Sequence, residues 1–416
     1  MHWFTALFMA LLLTGTAIRG WLLQRQVAAV RRNRDRVPEA FAEQIELAAH
    51  QKAADYTVAS AAVSRWDTLL DTAIALLLTV GGGIALVDRG WAAAGLSPVL
   101  HGTAVVLSIT LLSSLLALPV SIWRTFGVEA RFGFNRTTPR LFVGDLLKSL
   151  LVGLALGVPL LLAILFLMTS AGTLWWVYAW VVWVAFTVLV TWAWPTLIAP
   201  LFNKFTPLQD ESLKQRTEAL LRRCGFSSKG VYVMDGSRRS VHGNAYFTGV
   251  GRNKRIVFFD TLIERLQIAE IEAVLAHELG HFRLHHVRWR IVLSLTLGLA
   301  GLALLGALAR WPDFYAAFGI DSPSPHAALL LFMFVLPAFT FFLTPLGAWW
   351  SRKHEFEADE FAAEYSSASQ LAEALVKLYR DNATTLTPDR LHSAFYDSHP
   401  PALVRISRLQ RLAARS

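Results

Sequence analysis

His277 and His281 stand four residues apart and bracket Glu278 in the run HELGH. On a helix, positions i and i+4 lie on one face a turn apart, so both imidazoles can reach a single ion. Glu278 projects beside that face, where it can take a proton from a water that the ion polarises. Zinc suits imidazole and carboxylate donors and makes its water acidic enough to ionise near neutral pH. The preceding AEIEAVLA (269–276) continues a helical pattern, with Glu270 and Glu272 early in it, where negative charge is favoured.

Such an ion needs a third protein donor and an open position. The spacing HExxHxxGxxH is absent, because positions 284 and 287 are Leu284 and Val287. His285 lies eight residues beyond His277, about 12 Å along a straight helix, too far to share the ion. His285 and His286 are read as interfacial. KHEFEADEFA (353–362) offers Glu355 and Asp359 on one helical face, Glu355 as a ligand and Asp359 as acceptor of a hydrogen bond from a ligand imidazole. Glu357, Glu360 and Glu364 are alternatives on the same stretch.

The elements that must position these residues belong to a membrane protein. Of 416 residues, 54% are hydrophobic and 17% charged, well below the quarter usual in soluble domains. Apolar stretches at 3–24, 68–87, 102–123, 149–171, 174–199, 289–309 and 327–350 are long enough, or nearly so, to cross a hydrocarbon core. The first lacks a basic region before it and is expected to be a retained helix, with Arg19 snorkelling. The net charge of +9 is concentrated in loops, notably Arg25, Arg31, Arg32, Arg34 and Arg36 after the first span, and Arg124, Arg131, Arg136 and Arg140 after the third. Basic loops mark the cytoplasmic face, which puts the N-terminus outside and gathers 201–288 and 351–416 together in the cytoplasm. The charge therefore implies anionic lipid headgroups as partners and not nucleic acid. Asp67, Asp71 and Lys148 are expected at helix ends near the headgroups. The single cysteine, Cys224, excludes an intramolecular disulfide framework and a cysteine-built metal site.

Residues 1–200 therefore read as a membrane body of five spans. Residues 201–416 read as a second domain, its segments 201–288 and 351–416 interrupted by the two last spans. Within it, 209–223 is amphipathic and helical, and VYVMD (231–235) and RIVFFD (255–260) are β-rich. NAYFTGV (244–250) and the turn GRNK (251–254) make 244–260 a hairpin.

HGNAYFTGVGRNKRIVFFDTLI, HELGHFRLHH, SRKHEFEADEFA and YDSHPPALVRI occur here in this order, after WLLQRQVAAVRRNRDRVPEAF near the N-terminus. This set resembles the type I CAAX prenyl endopeptidases, membrane-integrated zinc metalloproteases of the gluzincin type that process prenylated proteins. The resemblance covers nearly the whole chain. It implies a mainly α fold of seven transmembrane helices enclosing a large chamber, capped by a protease domain that carries a small β-hairpin or sheet. It implies one zinc ion per chain on His277, His281 and Glu355, with Glu278 as general base. It also implies that His399 and Arg405 act near the scissile bond and that Asn244, Ala245 and Tyr246 hold extended peptide by β-augmentation.

The expected activity is endoproteolysis of membrane-associated peptide or protein substrates, prenylated or not. It takes the form of removal of a C-terminal aaX tripeptide, membrane-protein quality control, or both. The Ala-, Leu- and Arg-rich sequence and the short loop between spans six and seven suggest a bacterial inner membrane. An intramembrane site-2-type protease would bury HExxH in an apolar span, whereas 264–290 carries Glu264, Arg265, Glu270, Glu272, Arg283, Arg288 and Arg290. The reading from another class is a non-catalytic membrane receptor, channel or transporter built on the same helices, distinguished by purifying without zinc.

Overall fold

The computed structural model describes residues 2–226, 230–248 and 255–415. The membrane body opens with helices α1 (Trp3–Arg32), α2 (Leu47–Leu78), α3 (Gly83–Ala92), α4 (Pro98–Ile122), α5 (Pro139–Ser170), α6 (Trp175–Ala193) and α7 (Ala199–Phe202). Among the described residues, six helical runs are long and apolar enough to cross a membrane: Trp3–Arg32, Pro98–Glu129, Pro139–Ser170, Gly172–Phe202, His286–Leu308 and Pro325–Tyr365. A seventh span arises if α2 and α3, bent by 53°, count as one. Leu151, Leu297 and Leu346 face outward on these helices. Apolar side chains turned away from the protein interior are stable only against lipid, so the chain is an integral multi-pass membrane protein.

The second span differs from the straight stretch expected at 68–87. Helix α2 stops at a run of three glycines, where Gly82 takes a φ of 73°. A Cβ on Gly81 would fall 2.6 Å from the Leu77 carbonyl oxygen, so only glycine permits the break. Asp67 and Asp71 thus lie within a long helix, not at its end. Asp67 pairs with Arg124, and Lys148 Nζ donates to the Leu201 carbonyl at 2.7 Å.

The rest of the chain adds helices α8 (Glu211–Arg223), α9 (Asp260–Ile263), α10 (Ile268–Arg283), α11 (His286–Leu308), α12 (Pro312–Ala316), α13 (Pro325–Thr340), α14 (Thr344–Tyr365), α15 (Ala368–Asp381), α16 (Arg390–Tyr396) and α17 (Ala402–Ala413). Four strands, β1 (Phe205–Pro207), β2 (Val231–Met234), β3 (Ala245–Thr248) and β4 (Arg255–Phe259), form one sheet in the order β1-β2-β4-β3. β2 and β4 run parallel, and β3 pairs antiparallel with β4 in the register Tyr246 with Val257. That pairing is the expected hairpin; the turn at GRNK lies outside the described residues. Ile256, Val257 and Phe258 are all buried, as a central strand requires. Ile256 and Phe258 share a core with Leu213, Leu220, Ile271, Leu275, Leu279, Phe361, Leu371 and Leu409, contributed by α8, α10, α14, α15 and α17. A second core, around Phe4, Phe8, Val105, Phe314 and Leu331, closes the other end of the helical bundle.

Candidate metal centre and active site

The HELGH run sits on the second half of α10, whose start is fixed by a reciprocal cap: the Gln267 N–H donates to Glu270 at 2.7 Å, and the Gln267 side chain accepts in return. Glu270 is fully buried and meets Lys377 Nζ at 2.6 Å. The glycine of the run is a contact point. A Cβ on Gly280 would lie 3.1 Å from Ala358 Cα and 3.2 Å from Phe361 Cβ, so α10 and α14 approach more closely here than a larger residue allows. Glu355 lies almost one turn before Ala358, and the close crossing carries it to the two histidines.

Glu355 Oε2 is 3.5 Å from His277 Nε2, and Glu355 Oε1 is 3.3 Å from His281 Nε2. One donor atom from each of the three side chains fits within 4.8 Å of the others. Glu355 is 3% exposed, and its Oε2 is buried with no hydrogen-bond partner among the described residues. A buried carboxylate oxygen without a donor is costly, and a cation between it and two imidazole nitrogens removes that cost. The residues therefore fit a metal with nitrogen and oxygen ligands.

Around this trio the remaining candidates divide. Asp359 Oδ1 lies 2.9 Å from His277 Nδ1, which leaves His277 Nε2 facing Glu355. Arg405 donates to both Asp359 oxygens, from Nε at 2.9 Å and from a terminal nitrogen at 2.7 Å, and its other terminal nitrogen is 3.5 Å from Glu355 Oε2. Arg405 is 4% exposed, so it sits behind the site with its guanidinium engaged by carboxylates. Burial and the Arg405 charge push the His277 imidazole down. Asp359 and Glu355 more than offset them, and with no ion bound His277 holds a proton up to about 9. Glu278 is half-buried on the same helix. His399, in the loop between α16 and α17, brings Nε2 within 3.5 Å of Glu355 Oε2 while remaining 64% exposed, open to a bound substrate. Asn244 precedes β3, where its carbonyl accepts from the Phe259 N–H at 3.0 Å. Ala245 and Phe247 pack toward the core, and Tyr246 faces the other way, toward Phe205, Tyr232 and Arg255. β3 ends the sheet, so its outer edge has no strand partner among the described residues.

His286 is buried, not interfacial: its Nδ1 lies 3.0 Å from His281 Nδ1 and its Nε2 2.9 Å from Glu357. Its ring stacks on His354 at 4.0 Å between centroids. His285 takes a φ of 62°, ending α10 and folding the next residue back beneath His281. A straight helix through 285 hides this. The only hint in the sequence is a histidine pair at the end of an amphipathic run.

Two family models match the chain: "CAAX prenyl protease N-terminal, five membrane helices" over residues 26–204 and "Peptidase family M48" over 207–413. The human CAAX prenyl protease 1 homolog is 30% identical over 98% of this chain and 96% of its own length. The Arabidopsis thaliana CAAX prenyl protease 1 homolog is 36% identical over 75% of this chain and 74% of its own. The crystal structure of S. mikatae Ste24p superposes with a TM-score of 0.90 at 29% identity, covering 97% of this chain and 98% of that one. With apolar helices turned to lipid and a His–His–Glu cluster that fits a metal, these matches leave one conclusion. The chain belongs to peptidase family M48 and is an integral membrane metalloprotease of the CAAX prenyl protease 1 group.

Proposed function

We propose that the chain is a zinc endopeptidase whose ion is held by His277, His281 and Glu355. The observation that carries this reading is the buried Glu355 carboxylate, facing two imidazole nitrogens at 3.3 and 3.5 Å, with no hydrogen bond to its Oε2. Zinc bound there supplies Lewis-acid polarisation of the scissile carbonyl and of the attacking water. Glu278 takes the water's proton and delivers it to the leaving amine. His399, exposed beside Glu355, donates a hydrogen bond to the developing oxyanion. Asp359 fixes the His277 tautomer, and Arg405 holds Asp359 in place and lends its charge to the site from behind. His286 and Glu357 do for His281 what Asp359 does for His277. Substrate lies along the outer edge of β3 at Asn244, Ala245 and Tyr246, held through backbone groups.

Residues 1–200 form the membrane body, and 201–416 form the protease domain, interrupted by α11 and α13. The bundle encloses the chamber through which substrate arrives. A cleft between the spanning helices, lined by Gly15, Arg19, Asp71, Ser113, Pro337 and Phe341, supports this, because its charged groups Arg19 and Asp71 favour water over lipid. The site faces the cytoplasm of a bacterial inner membrane. Arg25, in the basic run that ends α1, is bonded to Asp389 at the start of α16 at 2.9 and 3.1 Å, which puts the basic loop on the protease side.

The substrate is a membrane-associated peptide, and the names of the relatives point to a prenylated C-terminal CAAX sequence with release of aaX. Recognition through the edge of β3 reads little sequence, which favours misfolded membrane proteins as a second class. The test compares wild type with Glu278→Gln for zinc content and for cleavage of a farnesylated CAAX reporter and of a generic peptide. About one catalytic zinc retained with cleavage reduced at least ~100-fold is expected. Normal cleavage by the variant overturns the assignment of Glu278.

A further inference from the structure

At the end of the membrane body away from HELGH, three helices bring one ligating side chain each to a single point. Asp88 on α3 places Oδ1 2.7 Å from His101 Nε2 on α4 and 2.7 Å from His326 Nε2 on α13. His326 precedes Glu355 by 29 positions in the α13–α14 run, roughly 40 Å if helical throughout, so the cluster is separate from the catalytic one. The two rings stand 5.3 Å apart at 55°, and one donor atom from each of the three residues fits within 4.8 Å of the others.

The site is built. His326 is buried, and a Cβ on Gly102 would strike its ring at 3.0 Å, so the glycine beside His101 is what lets the second imidazole seat. Ser324 caps α13 and holds its Oγ 3.1 Å from His326 Nε2, adding an oxygen at the same point. The Asp88 side chain is 35% exposed, which leaves the cluster open to solvent on one side.

We propose that Asp88, His101 and His326 form a second cation site, selective for a divalent transition metal such as zinc. Two imidazole nitrogens with one carboxylate suit zinc, nickel or copper and not magnesium or calcium, which take oxygen donors. Ligands at 2.0–2.1 Å from a tetrahedral ion stand about 3.3 Å apart. Each histidine, now at hydrogen-bonding distance from Asp88, need only withdraw from it by about half an ångström to admit one. The bound ion ties residues 13 and 238 positions apart in the chain, clamping α3, beyond the break at 79–82, against α4 and α13.

The experiment uses the full chain in detergent, stripped with chelator, re-equilibrated with buffered zinc and assayed for bound zinc. Wild type is expected to hold two ions. His101→Gln and Asp88→Asn are each expected to hold one while still cleaving the reporter, and Glu355→Gln is expected to hold one without cleaving. Zinc should raise the melting temperature of Glu355→Gln, and the rise should vanish in the Glu355→Gln/His101→Gln double variant. Wild type with one zinc that His101→Gln retains overturns the proposal. One zinc that His101→Gln loses and Glu355→Gln keeps upholds this site and overturns zinc at HELGH instead.

Discussion

In the core built around the sheet Leu220 is fully buried, while on the membrane-spanning helices Leu151, Leu297 and Leu346 expose 66%, 62% and 63% of their surface. Charge follows the opposite course. Asp359, Arg405 and Glu270 are buried beside that first core, each against a partner of opposite sign. The first region organises itself against water, hiding oil and surrounding a few buried charges with designed partners. The second organises itself against lipid and turns its oil outward. The difference fits the proposed site: a reaction that develops charge is best housed where charge can be paired.

The largest expected effect breaks that pairing. Replacing Arg405 with Met leaves the Asp359 carboxylate buried without its bidentate donor, and such unpaired charges cost about 3–5 kcal/mol. Thermal unfolding in detergent should show the loss, together with weakened zinc retention. An unchanged melting temperature would mean that water already reaches Asp359.

The comparison of leucines can be sharpened directly. Leu220→Ala opens a cavity in the catalytic core and should cost about 2–5 kcal/mol. Leu297→Ala, on a residue 62% exposed to lipid, should cost less than about 1 kcal/mol. Equal losses in the two variants, measured by unfolding in the same detergent, would show that Leu297 packs against protein in the functional state.

Much of this arrangement is legible in the residues. The helical pairing of His277 with His281, the hairpin at 244–260 and the apolar spans follow from periodicities of 3.6 and 2 and from length, which are local properties. Other features depend on single backbone angles or on distant partners. One left-handed residue, His285, moves His286 from an interface to the back of His281. Three glycines turn one expected span into two helices at 53°. The contact of Arg405 with Asp359 joins positions 46 apart in sequence and shows only once α17 packs on α14. Strand β1, three residues long, carries too short a pattern to be read at all.

A smaller effect is expected one step back from the metal. His286→Ala removes the partner of His281 Nδ1 and frees that imidazole to rotate, which should lower zinc affinity about 10- to 100-fold. Competition with a chromophoric chelator measures it. Glu357→Gln, which keeps a hydrogen-bond acceptor for His286, should fall between this variant and wild type. Loss of cleavage with unchanged zinc affinity would assign His286 to substrate and not to the metal.

The smallest effect is a slope. With no ion bound, His277 keeps its proton up to about 9, above its ordinary value, because Asp359 and Glu355 outweigh burial and Arg405. The raised value stabilises the metal-free fold below the unfolded pKa, and that contribution fades as pH rises toward 9. Binding zinc must expel the same proton, so apparent affinity should fall about tenfold per pH unit below 9. Asp359→Asn removes one of the two supporting carboxylates and lowers the midpoint, so the slope near pH 8 should flatten while the slope near pH 6 persists. Chelator competition across this range, run on wild type and variant together, reads the shift. Identical curves would show that Glu355 alone holds the proton on His277.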